Sequence, residues 1–170
     1  MKKIVSLLLL VFFTFSSCEK DDICDANIST TPRLVIQFYD ITNQTELKNV
    51  TNLKVIGDGK TEGIVFNQSA TGEAKYLANG STISIPLKTD VNTTKYSFIL
   101  NSVNANPTLT DIDEVTFNYT REDVFISRAC GFKTIFSLDK ISSDLLWIKD
   151  IRIEKNNIVN ENETHVKIYF

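Results

Sequence analysis

Apolar and polar residues alternate with a period of two along most of the chain after residue 32. Near the start of this region, Leu34, Ile36 and Phe38 fall on one face of a strand and their neighbours fall on the other. Successive side chains of a β-strand point to opposite faces of a sheet, so this period is typical of strands. The pattern predicts strands over residues 33–40, 53–56, 63–67, 73–77, 82–87, 95–103, 114–121, 124–129, 131–138, 151–154 and 166–170.

Turn residues separate these strands at intervals of roughly 8–12 residues, which is typical of an all-β sandwich or barrel. Pro86 lacks an amide donor and therefore favours the edge or the end of its strand. Only residues 142–148 carry a pattern that predicts a helical turn. We expect an all-β fold, an antiparallel β-sandwich with an immunoglobulin-like or transthyretin-like arrangement. A closed β-barrel is the alternative.

The N-terminal residues have the pattern of a bacterial lipoprotein signal. Lys2 and Lys3 precede an apolar segment at residues 4–15, and a Ser-Ser pair then leads to Cys18. About a dozen apolar residues are too few to span a hydrocarbon core of ~30 Å, so a cleaved signal peptide is predicted. This interpretation gives a signal peptide (1–17), a lipidated cysteine with its tether (18–31) and a single β-sandwich domain (32–170). An ordinary secretory signal cleaved elsewhere is the alternative.

The residues after Cys18 concern the location of the protein. Residues 19–22, Glu-Lys-Asp-Asp, resemble the acidic, lysine-containing tag that follows the lipidated cysteine in surface-exposed lipoproteins of Bacteroidota. A solvated tether of no further meaning is the alternative. We expect a protein anchored to the outer membrane through lipid on Cys18, with its domain at the periplasmic face or the cell surface.

The chain has three cysteines. If Cys18 carries lipid, Cys24 and Cys130 remain as an even pair in an oxidising compartment, which predicts a disulfide. Two buried free thiols or a metal site are the alternatives. A metal site is poorly supported, because it needs about four ligands and the only histidine, His165, is distant in sequence from both thiols. The disulfide would hold the domain near the membrane, since only residues 19–23 lie between the lipid and Cys24.

Charge and chemistry narrow the function further. The formal net charge of −3 provides no basic field for nucleic acid, which we exclude as a partner. His165 alternates with Val166 and is predicted to face solvent, and a Ser-His-Asp or Cys-His site would depend on this one histidine. No cofactor or metal is expected. The spacing of Asp111, Asp113 and Glu114 leaves calcium binding as an open alternative, because carboxylate oxygens are usual calcium ligands.

Three residues are candidates for contact with a ligand or partner: Arg33, Arg128 and Trp147. The predicted disulfide would bring the two arginines into one neighbourhood, where they could bind a carboxylate or phosphate group. Pairing with a local acid, Asp25 or Asp40, is the alternative. Trp147 lies among apolar residues and is predicted to pack in the core or cap one end of the sandwich. An exposed position would instead make it a platform for a sugar ring or a protein partner.

Together these features resemble a small, uncharacterised family of Bacteroidota lipoproteins that is classed only as a domain of unknown function. The resemblance lies in Cys18 with its acidic tail, in Cys24, in the run TPRLVIQFYD at residues 31–40, and in Cys-Gly-Phe at residues 130–132. It spans nearly the whole mature chain. It implies an envelope location and a β-rich fold, and it brings no activity with it.

We therefore expect a non-enzymatic envelope lipoprotein that binds a protein partner or helps to assemble a complex at the membrane surface. The first alternative is a carbohydrate-binding surface lipoprotein, which requires Trp147, Tyr39 or Tyr169 to be exposed in a row. A hydrolase is the remaining alternative, and it requires His165 to converge with acidic residues in a pocket. Fold class alone does not separate these functions, because sandwiches host many of them.

Overall fold

The computed structural model describes residues 23–24, 30–103 and 111–170. In this part of the chain two β-sheets pack together and both have free edges, which confirms the β-sandwich and excludes the closed barrel. One 3-10 helix, Gly72–Tyr76, precedes β3. The strands are β1 (Leu34–Tyr39), β2 (Val50–Gly57), β3 (Leu77–Gly80), β4 (Thr82–Ile85), β5 (Thr93–Leu100), β6 (Asp111–Ser127), β7 (Gly131–Ser143), β8 (Asp150–Ile153), β9 (Asn157–Ile158) and β10 (Val166–Tyr169).

The chain divides into two compact units. The larger unit comprises Ser29–Asp123 and Thr134–Phe170 and contains the sandwich. The smaller unit comprises Met1–Ile28 and Val124–Lys133, of which Ile23, Cys24 and the second segment are described. Lipidation at Cys18, the signal peptide and the acidic residues 19–22 lie outside the described residues and stay predictions. No helix in the described part of the chain has the length and apolar character needed to cross a membrane.

The four-stranded sheet has the order β4-β1-β10-β8, and the six-stranded sheet has the order β3-β2-β5-β6-β7-β9. Strands β1 and β10 are parallel, with Ile36 opposite Val166. The antiparallel pairs are β1–β4, β10–β8, β2–β3, β2–β5, β5–β6 and β7–β9. A parallel pair needs a long connection, and here almost the whole domain lies between its two strands. Strands β4 and β3, which are consecutive in the chain, are each the edge of a different sheet.

The period-two pattern correctly assigns the core-facing side chains. Leu34, Ile36 and Phe38 of β1 are fully buried, as are Phe98 of β5 and Phe117 of β6. Burying one large apolar side chain contributes about 1.5–3 kcal/mol, so this alternation is a main source of stability. Pro86 directly follows β4, an edge strand, which agrees with its missing amide donor.

Some predicted elements are wrong. Residues 114–121 and 124–127 belong to one strand of 17 residues, β6, which also includes Asp111 and Asp113, and residues 128–129 lie in the turn that follows it. Residues 63–67 form no strand beyond a single bridge from Gly63 to Ile56, and residues 73–76 belong to the 3-10 helix. Strand β9 lies between the predicted strands at residues 151–154 and 166–170, where no strand was predicted. It has two residues, and so short a segment shows no period.

Residues 142–148 do not form the predicted helical turn. Strand β7 continues to Ser143, and Leu145 has a φ of 57°, in the left-handed region that helices exclude. The amide groups that follow Leu145 donate to a side chain on another strand and not to the backbone of a preceding turn. This side chain belongs to Asp113.

Candidate functional site

A cavity of 510 Å³ lies at the sandwich edge formed by β3 and β4. We call it the edge cavity. The chain crosses from the six-stranded sheet to the four-stranded sheet between these strands, at Ser81. Its lining includes one charged residue, Arg33, among apolar and small polar side chains. The lining residues are Arg33, Val65, Phe66, Asn67, Leu77, Ala78, Asn79, Thr82, Ile83 and Ser84.

The pairing of β4 with β1 determines which backbone groups face the edge cavity. The Phe38 amide donates to the Ser81 carbonyl at 2.9 Å, which marks a hydrogen-bonded position of the antiparallel ladder. Such positions recur at every second residue, so Ile83 is the next one along β4. Thr82 and Ser84 therefore direct their amide and carbonyl groups away from β1. Within the described residues β4 pairs only with β1, which leaves this side of the strand open.

Arg33 lies directly before β1 and is half-buried. Its backbone amide donates to Glu161 Oε1 at 3.1 Å, which fixes the main chain at this point. Among the described residues its guanidinium forms no ion pair, and the alternative partner Asp40 pairs with Lys48 instead at 3.6 Å. The other alternative partner, Asp25, lies outside the described residues. The Arg33 side chain is therefore able to pair with a carboxylate that enters the cavity.

The two candidate arginines belong to different units. Arg128 is exposed in the turn between β6 and β7, within the smaller unit, whereas Arg33 belongs to the larger unit. The predicted disulfide is present: Cys24 and Cys130 are bonded, with their Cα atoms 4.9 Å apart. A joint anion site of both arginines stays a prediction.

The aromatic residues required for a sugar platform are not exposed in a row. Trp147 is 5 % exposed, and its indole Nε1 donates to the Phe98 carbonyl at 3.1 Å. Tyr169 is buried and the Arg152 guanidinium lies 4.5 Å from its ring centre, while Lys167 Nζ lies 5.5 Å from that of Tyr39. The core interpretation of Trp147 is confirmed, and the carbohydrate alternative loses the surface on which it depended.

Asp113, the middle residue of the acidic group considered for calcium binding, has a structural role. Asp113 is fully buried, and its carboxylate accepts the amides of Leu146, Trp147 and Ile148 at 2.7, 2.9 and 2.8 Å. Glu114 pairs with Lys95 at 3.0 Å. No group of three or more histidine, cysteine or acidic residues within the described ranges is arranged to hold a metal ion. Asp113 therefore caps the loop that carries Trp147.

The prediction that His165 faces solvent is wrong. His165 is fully buried, and its Nδ1 accepts the Val35 amide at 3.0 Å, so the ring is neutral with its proton on Nε2. Its own backbone amide donates to the Val35 carbonyl at 3.0 Å. The ring and backbone of His165, the residue before β10, thus supply hydrogen-bond partners for Val35 of β1. Both polar contacts serve the sheet, and His165 lines none of the three cavities described in the structure.

Burial lowers the pKa of His165 below its ordinary value. The charges of Glu163 and Glu161 and the backbone of Asn160 oppose this lowering of the pKa. They only partly offset it, and Nε2 of His165 has no hydrogen-bond partner among the described residues. Protonation would also place a hydrogen on Nδ1, against the Val35 amide. The folded protein therefore disfavours the charged ring.

We expect the free energy of unfolding to fall as the pH drops from 7.5 to about 5.5. The unfolded histidine has a pKa near 6.5, and below that value the unfolded chain binds a proton that the folded chain excludes. The slope is at most about 1.4 kcal/mol per pH unit. Urea unfolding across this range measures it. His165→Asn places an amide oxygen where Nδ1 lies and removes the titration, so an equal slope in both proteins would contradict the assignment.

Sequence reasoning found Arg33 but missed the rest of the edge cavity. Thr82 and Ser84 are ordinary strand residues, and their exposed backbone depends on the position of β4 in its sheet. The position of Pro86 was the one signal in the sequence, because it favoured an edge strand.

Comparison with known proteins finds one family. Residues 52–170 match a family of unknown function, DUF6452. The match covers the chain from within β2 to its last residue and includes β4, His165 and Asp113. Neither the curated proteins nor the solved structures contain a match.

Proposed function

Because the chain belongs to the DUF6452 family of unknown function, we propose a function from its geometry: a non-enzymatic lipoprotein of the bacterial cell envelope that binds an extended segment of a partner protein at the edge cavity. The single observation that carries the proposal is the open side of β4 beside the cavity and Arg33. Lipid on Cys18 would anchor the protein to the outer membrane of a Bacteroidota cell. The basic, apolar and Ser-Ser-Cys pattern of residues 2–18, which lies before the residues matched by the family, supports that part of the proposal.

The backbone of β4 suits an extended partner segment. Thr82 and Ser84 present amide and carbonyl groups to the open side, and a strand laid along them would add a ladder to the four-stranded sheet. Strand addition takes its affinity from main-chain hydrogen bonds and its specificity from pockets for alternate side chains. The edge cavity supplies such a pocket directly beside the strand.

The lining of the cavity defines the chemistry of the partner. Val65, Phe66 and Leu77 offer apolar surface, which suits an aliphatic side chain. Arg33 offers a guanidinium without an ion pair among the described residues, which suits an aspartate, a glutamate or a C-terminal carboxylate. The expected ligand is therefore a short extended segment with one apolar and one acidic group.

A photo-crosslinking residue at position 82 tests this function in intact native cells. We expect Thr82→benzoylphenylalanine to yield one envelope protein in stoichiometric amount, and the yield to fall severalfold on addition of Arg33→Ala. The matched control is Ile153→benzoylphenylalanine, because Ile153 is exposed and belongs to β8, the opposite edge of the same sheet. Cys18→Ala should abolish the adduct by releasing the protein from the membrane.

Two results would contradict the proposal. The absence of a protein adduct at position 82 would remove the partner, and equal adducts at positions 82 and 153 would show that contact is not specific to the edge cavity. An adduct that survives Arg33→Ala would retain the β4 edge and remove the carboxylate from the expected ligand.

A further inference from the structure

The smaller unit exposes three large apolar side chains. Phe125 near the end of β6 is 57 % exposed, Phe132 near the start of β7 is 66 % exposed, and Ile23 is 83 % exposed. The two phenylalanine rings lie edge to face with their centres 5.3 Å apart. Exposed apolar residues that cluster, in contrast to scattered ones, mark surfaces that contact another apolar phase.

The turn between the two strands that carry these rings is held by a hydrogen bond and a disulfide. The Cys130 amide donates to Ser127 Oγ at 3.1 Å, and Gly131 has a φ of 69°, a conformation that glycine adopts without strain. The disulfide joins this turn to Cys24, immediately after Ile23. The exposed aromatic pair is thus held by a hairpin turn and a covalent bond, so ordering it on a surface costs little further entropy.

The charge of this segment suits a phospholipid surface. Val124–Lys133 contains the cations Arg128 and Lys133 and no acidic residue. Arg128 is exposed in the turn, between the two phenylalanines in sequence. Phenylalanine side chains of interfacial segments lie at the boundary between headgroups and acyl chains, and nearby basic side chains are attracted to anionic lipids.

The chain before Cys24 determines which surface is within reach. Cys18 and Cys24 are separated by residues 19–23, a distance of at most about 20 Å when fully extended. The disulfide therefore keeps the turn at Cys130 close to any lipid carried by Cys18. The tether raises the effective concentration of the turn at the membrane, so that even a weak contact between the turn and the lipid surface is formed much of the time.

We propose that Phe125 and Phe132 insert into the headgroup region of the phospholipid leaflet that holds the lipid of Cys18. This inference rests on the lipid anchor of the proposed function. The occupant of the apolar surface is then the membrane itself, and the protein has two attachments, one covalent lipid and one aromatic hairpin turn. The second attachment fixes the orientation of the hairpin turn at the bilayer, which a single flexible anchor does not.

Fluorescence quenching by brominated phospholipids tests the insertion. The protein as processed by the cell is reconstituted into nanodiscs of phosphatidylethanolamine and phosphatidylglycerol, with bromine on the upper acyl chain. We expect Phe132→Trp to give an indole that loses at least about half of its emission, because an inserted ring lies at headgroup level. The native Trp147 is buried and contributes a constant background. Leu47→Trp, at a residue 49 % exposed in the larger unit, is the matched control and should lose little emission.

The test separates this inference from the anchor on which it rests. The mass of the N-terminal peptide reports lipidation of Cys18 directly. If Cys18 carries no lipid, its thiol is coupled to a maleimide phospholipid, which gives the same tether and allows the same quenching measurement. Equal quenching at positions 132 and 47, or none at position 132, would overturn the insertion in either case. Emission at position 132 that shifts with protein concentration and not with bromine would assign the apolar surface to a second copy of the chain.

Discussion

Replacing Asp113 with alanine is expected to lower the free energy of unfolding by about 3–5 kcal/mol. The carboxylate is fully buried and accepts the amides of Leu146, Trp147 and Ile148. Without it, the amides of Trp147 and Ile148 stay buried with no acceptor, and each such donor costs about 1–3 kcal/mol. The loss of these amide hydrogen bonds, and of the one from Ser143 Oγ at 3.3 Å, is only partly offset by the relief of no longer burying a polar carboxyl group.

The fluorescence of Trp147, the single tryptophan, reports how Asp113→Ala affects the loop at residues 146–148. Trp147 packs edge to face with Phe170, with ring centres 5.3 Å apart, and lies next to Phe38 in the core. We expect its emission to move to longer wavelength in Asp113→Ala before global unfolding, because the loop that buries it loses its cap. Urea unfolding followed by circular dichroism gives the global free energy, and tryptophan emission gives the state of the loop.

Asp111→Ala is the matched control, since Asp111 lies two residues earlier in β6 and is exposed. A change within about 0.5 kcal/mol is expected for this surface site. Asp113→Asn should fall between the two, because its amide retains one oxygen acceptor and turns a donor towards the remaining amides. Equal stability of the Asp111 and Asp113 variants would show that apolar packing alone holds the Trp147 loop.

Reduction of the Cys24–Cys130 disulfide is expected to cost about 4–5 kcal/mol. The two cysteines are 106 residues apart, and a cross-link across so long a loop removes much of the freedom of the unfolded chain. In a domain of this size the loss corresponds to a fall in melting temperature of roughly 10–15 °C. Differential scanning calorimetry with and without reductant measures it, in a Cys18→Ala background that prevents thiol exchange.

The variant Cys24→Ser with Cys130→Ser provides the control. It should melt at the temperature of the reduced protein and should not respond to reductant. A melting temperature that is unchanged by reduction would show that the bond contributes only to the position of the tether and not to stability.

The strand pattern was predictable wherever a strand has one buried and one open face. The alternation in β1 and β5 identified Leu34, Ile36 and Phe98 as core residues, because period two records the difference between the two faces of a sheet. The same reasoning placed His165 on the solvent side, and there it failed. His165 precedes β10, a strand that lies between β1 and β8, and its ring replaces a backbone acceptor for Val35. No local sequence pattern indicates that a side-chain nitrogen takes the place of a backbone carbonyl.

Sequence reasoning also failed to predict the buried position of Asp113, because an acidic residue on a strand is expected to be exposed. A carboxylate on a strand is ordinarily solvated, and its neighbours Asp111 and Glu114 made a cation site a reasonable hypothesis. Its donors come from residues at least thirty positions further along the chain, namely Ser143 Oγ and the amides of residues 146–148. The loop adopts its shape through Asp113 and not through its own period, which is why the helical turn predicted for residues 142–148 does not form.

The sequence by itself determined the all-β class and the core faces of the long strands, and it favoured the pairing of Cys24 with Cys130 over two alternatives. These properties depend on local alternation and on residue counts. Only the tertiary structure decided the strand order, the open side of β4, the cavity beside Arg33 and the burial of Asp113 and His165. Each of these arises from contacts between residues far apart in the chain, where the free energy of packing and hydrogen bonding selects one arrangement from the many that the same alternation allows.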